Sequence, residues 1–76
     1  MTVQLYEEVV LKRDLPAECL KTGDLGTIVY IYDGGYEVEF FTAVGKTRAV
    51  VTLDARDVRA VGENEMVAVR PLTATG

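Results

Sequence analysis

The chain has 76 residues, 49% of them hydrophobic, with 8 Lys or Arg against 12 Asp or Glu, a net charge of −4, one cysteine and no histidine. This describes one small domain with enough apolar content to fold, and an acidity that disfavours a phosphate backbone as partner. The inventory lacks the Ser–His or Cys–His pair of nucleophilic catalysis, the several Cys or His ligands of a zinc centre, and a second cysteine for an internal disulfide.

No GxxxxGK[ST] or GxGxxG phosphate loop and no EF-hand loop occurs, and no apolar run approaches the ~20 residues of a membrane-spanning helix. The first ten residues, MTVQLYEEVV, show neither the basic n-region nor the apolar h-region of a signal peptide. A protein without catalytic residues, metal or cofactor, working in a reducing cytoplasm, is expected.

In chain order, YEEVVLKRDL carries Val9, Val10 and Leu11, whose stiff branched side chains favour a strand. Pro16 then interrupts, and PAECL predicts a single short helical turn, with Leu15 and Leu20 pinning the loop to the core. Gly23-Asp24-Leu25-Gly26 reads as a tight turn that uses glycine at positive φ, with Asp24 bonded to nearby amides. TIVYIY (27–32) is the strongest strand in the chain. Asp33-Gly34-Gly35 is a hairpin turn, and YEVEFF (36–41) alternates, with Tyr36, Val38 and Phe40 on one face and Glu37 and Glu39 on the other. RAVVTLD (48–54) is a fourth strand. ARDVRAV (55–61) predicts a short turn and a brief closing strand.

Turn signals about every ten residues, with no sustained helical period, predict an all-β fold. Five short antiparallel strands bent so as to bury one face form a small SH3-like barrel over residues 1–62. Residues 63–76 are a C-terminal extension, with a sixth, edge strand expected at 66–70 and a flexible tail after it. The expected core is Val9, Leu11, Leu20, Val29, Ile31, Val38, Phe40, Val51, Leu53 and Val58.

Three stretches, LYEEVVLKRDLP, LKTGDLGTIVYIYDGGYEVEF and AVVTLDARDV, together resemble a small bacterial family, largely cyanobacterial, of domains of unknown function. Its members carry LYDVVVL…DLP, then a GDxGTIV…YEVEF motif, then A.LTL….L. The resemblance spans about residues 5 to 61. It implies an SH3-like barrel that stands alone, and it supplies no catalytic residues. It also implies a neighbouring gene for a small protein, which suits a paired or antitoxin-like partner. More distantly, the Gly-Asp-x-Gly-Thr turn looks like those of ribosomal and transcription-factor barrels that touch RNA, and of the nitrile hydratase β-subunit barrel; the acidity of this chain departs from the RNA-binding cases.

Candidate binding residues cluster on the hairpin. Tyr30, Tyr32 and Tyr36 are candidates for an aromatic platform, because tyrosine is enriched at interfaces and stacks on peptides or bases. The competing reading is ordinary cross-strand packing. Glu37 and Glu39 form an acidic strand face, with Arg48 expected to pair with it from the next strand. Lys12, Arg13, Lys46, Arg48, Arg56 and Arg59 are the cations available to a nucleic acid, but acids are interspersed among them. Cys19 reads as a half-buried residue holding its loop.

The leading function is therefore a non-catalytic protein-interaction module with a basic protein partner, the acidic or antitoxin-like half of a gene pair. A nucleic-acid-binding barrel and an accessory subunit of an enzyme complex are the alternatives. Self-association through an edge strand is a further expectation.

Overall fold

The computed structural model of the protein describes residues 3–72. Its elements follow the turn signals of the sequence. Strand β1 spans Glu8–Leu11, β2 Leu25–Tyr32, β3 Gly35–Phe41, β4 Thr47–Asp54 and β5 Val58–Ala60, with 3-10 turns at Pro16–Glu18 and Ala55–Asp57. All five strands are antiparallel in the order β4-β3-β2-β1-β5, the SH3-like arrangement, with β4 and β5 as the two edges. No described helix is long and apolar enough to cross a membrane.

Local chemistry sets each boundary. Pro16, whose φ is already helical and whose missing amide costs nothing at a first turn, starts the first 3-10 turn. That turn ends at Cys19 in a left-handed conformation, φ 59°, and the loop closes on itself through Leu15 and Leu20, both buried. The carboxylate of Asp54 accepts the Arg56 amide at 3.0 Å and so caps the second 3-10 turn, which swings the chain from β4 to β5 on the far side of the sheet.

The two glycines of the Gly-Asp-Leu-Gly motif have different reasons. Gly23 sits at φ +98°, the positive value the turn was expected to need. Gly26 lies inside β2 at an ordinary φ, and a side chain there would meet Val38 Cγ1 at 2.6 Å and the Phe40 ring at 3.0 Å. It is glycine because β2 crosses the core closely at that point.

The core holds Val3, Val9, Leu11, Leu15, Leu20, Ile28, Val38, Phe40, Leu53 and Val58, with Tyr36, Ala49 and Val51 packed against it. Val29 and Ile31 depart from expectation. A β-bulge between Ile28 and Tyr30 shifts the register of β2 against β3, so Ile28 faces inward with no exposure and Val29 is only half-buried. Strict alternation counted back from Ile31 cannot register that extra residue. Ile31 lies opposite Tyr36 near the hairpin end, beyond the buried cluster, and is 43% exposed.

The sixth strand expected at 66–70 does not form: the chain there lies outside any helix, strand or turn. Residues 73–76, the end of the expected flexible tail, lie outside the described residues.

Candidate protein-interaction surface

The outward face of β2, β3 and β4 follows from the register. Tyr30 stands opposite Glu37, which stands opposite Thr52; one step along, Thr27 faces Glu39 and Glu39 faces Val50. Cross-strand partners share a face, so these side chains lie in rows pointing away from the core. Tyr32 is opposite Gly35 and has no side chain directly across from it, so its ring meets Tyr30 instead, with centroids 4.9 Å apart and planes tilted by 58°. That spacing is ordinary for an attractive aromatic pair. The rings stay in water, Tyr30 58% and Tyr32 45% exposed.

The carboxylates beside them are held in place. Glu37 accepts from the Thr52 hydroxyl and, at 3.5 Å, from the Tyr32 hydroxyl, while Glu39 accepts from the Thr47 hydroxyl. Partial burial and then the neighbouring Glu37 carboxylate push the Tyr32 hydroxyl above its ordinary pKa, so it remains a neutral donor.

Of the hairpin residues singled out in the sequence, Tyr30, Tyr32, Glu37 and Glu39 come together here. Tyr36 does not: it points to the opposite face and packs against the core, because it is one residue from Glu37 on an alternating strand. Arg48 does not pair with the acidic face either. It falls at a second bulge, where β3 and β4 slip register between Phe40 and Phe41, and it makes no ion pair among the described residues. The threonines of β4 occupy the places beside Glu37 and Glu39 that Arg48 was expected to fill. Among the other cations considered, Arg13 pairs with Asp57 at 3.2 Å, Arg56 with Asp54 at 3.5 Å and Arg59 with Glu65 at 2.6 Å.

A second surface involves the stretch expected as an edge strand at 66–70 and as a candidate contact, which is held to the barrel by side chains rather than by strand pairing. After β5 the chain is fastened twice. Glu65 accepts from both Arg59 terminal nitrogens, at 2.8 and 2.6 Å, and from the Gly62 amide at 2.6 Å; this pairing, Arg59 foremost, lowers its carboxyl pKa to about 2. Arg70 donates to both oxygens of Asp24, at 3.0 and 2.5 Å, and to the Cys19 carbonyl at 3.0 Å. Burial raises the Asp24 carboxyl, but Arg70 and the Lys21 amide outweigh it and hold the group below its ordinary value. Asp24 therefore does bond to a nearby amide, as its turn implies, and also receives a strap from 46 residues away. Between strap and barrel runs a cleft of about 910 Å³. Its floor includes Val10, which is buried yet outside the main core cluster, with Leu25, Phe40 and Phe41 beside it.

A family model described as Domain of unknown function (DUF4926) matches residues 5–60. The matched span ends with β5 and leaves the strap outside it. No curated protein and no solved structure matches the chain.

Proposed function

The chain belongs to the DUF4926 family, and we propose that it is a non-catalytic protein-interaction module whose partner surface is the outward face of β2, β3 and β4. The observation that carries this reading is the Tyr30–Tyr32 pair, two exposed rings in contact beside Glu37 and Glu39, whose carboxylates are oriented by Thr52 and Thr47. Tyrosine brings large contact area at little entropic cost, because only two torsions need be fixed. Ordered carboxylates in a chain of net charge −4 select a basic partner and speed its approach.

Nucleic acid is the weaker reading, since Arg13, Arg56 and Arg59 are already matched by carboxylates of the same chain. A partner encoded alongside, in the manner of an antitoxin and its target, fits the acidity. A cytoplasmic setting fits the free, half-buried Cys19.

Capture from a native lysate on the immobilised protein tests the proposal, with and without nuclease, against a Tyr30→Ser/Tyr32→Ser variant whose melting temperature matches wild type. The expected result is one basic protein, held more tightly as salt is lowered. The variant should weaken it at least ~10-fold, the loss of one modest interface anchor. Retention that the double variant leaves untouched, or that nuclease abolishes, sinks the reading.

A further inference from the structure

The strap forms one wall of the cleft and the barrel its floor, with Met66, Val67 and Val69 on the wall and Leu25 and Phe41 on the floor. Met66, Val67 and Val69 are 93%, 77% and 82% exposed, so the wall does not rest on the floor. The Arg59–Glu65 and Arg70–Asp24 forks hold it at both ends. An apolar wall fastened across from an apolar floor leaves hydrophobic surface in water on both sides. An apolar body seated between them covers both.

The polar side chains that line the cleft narrow what such a body carries. Asp24 is matched by Arg70, and Glu65 by Arg59. The Thr22 hydroxyl donates to Asp14 at 3.0 Å, and the Thr42 hydroxyl accepts from the Lys46 amide at 3.2 Å. Arg48 lines the cleft too, and among the described residues it makes no ion pair. The bulge in β4 sets it apart: Phe40 pairs with Ala49 and Phe41 with Thr47, which leaves Arg48 as the extra residue without a cross-strand partner. A bulge of this kind re-aims a side chain away from the regular ladder. The cleft therefore carries one uncompensated positive charge among apolar walls.

We propose that the cleft binds a small carboxylic acid with an apolar body, its carboxylate on Arg48 and its body between Phe41 and the Met66–Val69 wall. The volume of about 910 Å³ falls within the roughly 300–1,000 Å³ of small-molecule sites, which are apolar with a few polar groups that fix orientation. A guanidinium donates two parallel hydrogen bonds to a carboxylate. One unmatched cation selects one negative charge. A phosphate monoester brings nearly two toward a chain of net charge −4 and is disfavoured. Tyr30, Tyr32, Glu37 and Glu39 do not line this cleft, so the site is separate from the tyrosine face and stands or falls independently of it.

Titration of the full chain with 2-naphthoate, followed by backbone amide shifts in NMR, tests the site. Saturating shifts are expected at Leu25, Phe41 and Val67, with a Kd of ~1 mM or tighter for a body of that size. 2-Naphthamide, the same body without the charge, should bind at least ~10-fold more weakly, and so should 2-naphthoate to Arg48→Gln, since one charge-assisted pair is lost in each case. Arg48 is exposed and unpaired, so that variant should melt as wild type does. Tyr30→Ser/Tyr32→Ser should leave 2-naphthoate binding unchanged. No saturating shift by ~10 mM, shifts confined to other surfaces, or equal binding by 2-naphthamide or by Arg48→Gln overturns the proposal. Tighter binding of 2-naphthyl phosphate than of 2-naphthoate overturns the carboxylate assignment.

Discussion

Ile28 and Ile31 are the same residue type three positions apart in one strand, yet one has no exposure and the other is 43% exposed. The bulge between them decides which belongs to the core. Ile28 packs opposite Val38, the other β-strand residue without exposure at that level, whereas Ile31 overhangs at the hairpin end beside Tyr36. Ile28→Ala is therefore expected to cost roughly 2–5 kcal/mol, the range for deleting a buried aliphatic side chain. Ile31→Ala should cost less than about 1 kcal/mol, since much of its surface is already in water. Urea unfolding of the two variants side by side measures the difference. A larger loss at Ile31 than at Ile28 would mean that β2 follows unbroken alternation and that the bulge is absent.

Among the elements, those built from local signals were legible in the sequence. Pro16 announces its 3-10 turn, Asp33-Gly34-Gly35 its hairpin, and the Tyr36–Phe40 alternation correctly separates Glu37 and Glu39 from the core. The bulges were not legible, because one inserted residue leaves composition and propensity unchanged while reversing every side chain beyond it. Nor was the strap. Asp24 and Arg70 are 46 residues apart, and nothing in either neighbourhood names the other. The strap's clamps have a measurable signature in pH. Glu65 titrates near 2 in the folded protein against an ordinary 4.5, and Asp24 is shifted in the same direction. A depressed folded pKa means that the stabilisation is complete above the unfolded value and is lost as pH falls through the folded one. The Arg59–Glu65 clamp should therefore be intact above pH 4.5 and open as pH approaches 2. Following the Glu65 carboxyl carbon by NMR checks this, and Arg59→Gln should move its midpoint up toward 4.5. A wild-type midpoint already at 4.5 would mean that the fork does not persist in solution.

At the scale of the molecule the question is whether the strap belongs to the folding unit or is carried by it. Among the described residues every buried one lies between Val3 and Val58, and the family match ends at residue 60. Residues 61–72 contribute hydrogen bonds and ion pairs to the barrel but no buried side chain. A chain ending at Gly62 keeps all five strands and the entire core, and gives up the two clamps. Asp24 is then left part-buried with the Lys21 amide as its remaining partner, a loss on the order of 1 kcal/mol. For a domain of this size that lowers the melting temperature by about 4–8 °C. The shortened chain should still unfold in one cooperative transition. Calorimetry of the two chains separates the cases. A small downward shift with cooperativity intact places the strap outside the folding unit, whereas a shortened chain that fails to fold would make residues 63–72 part of the barrel's own stability.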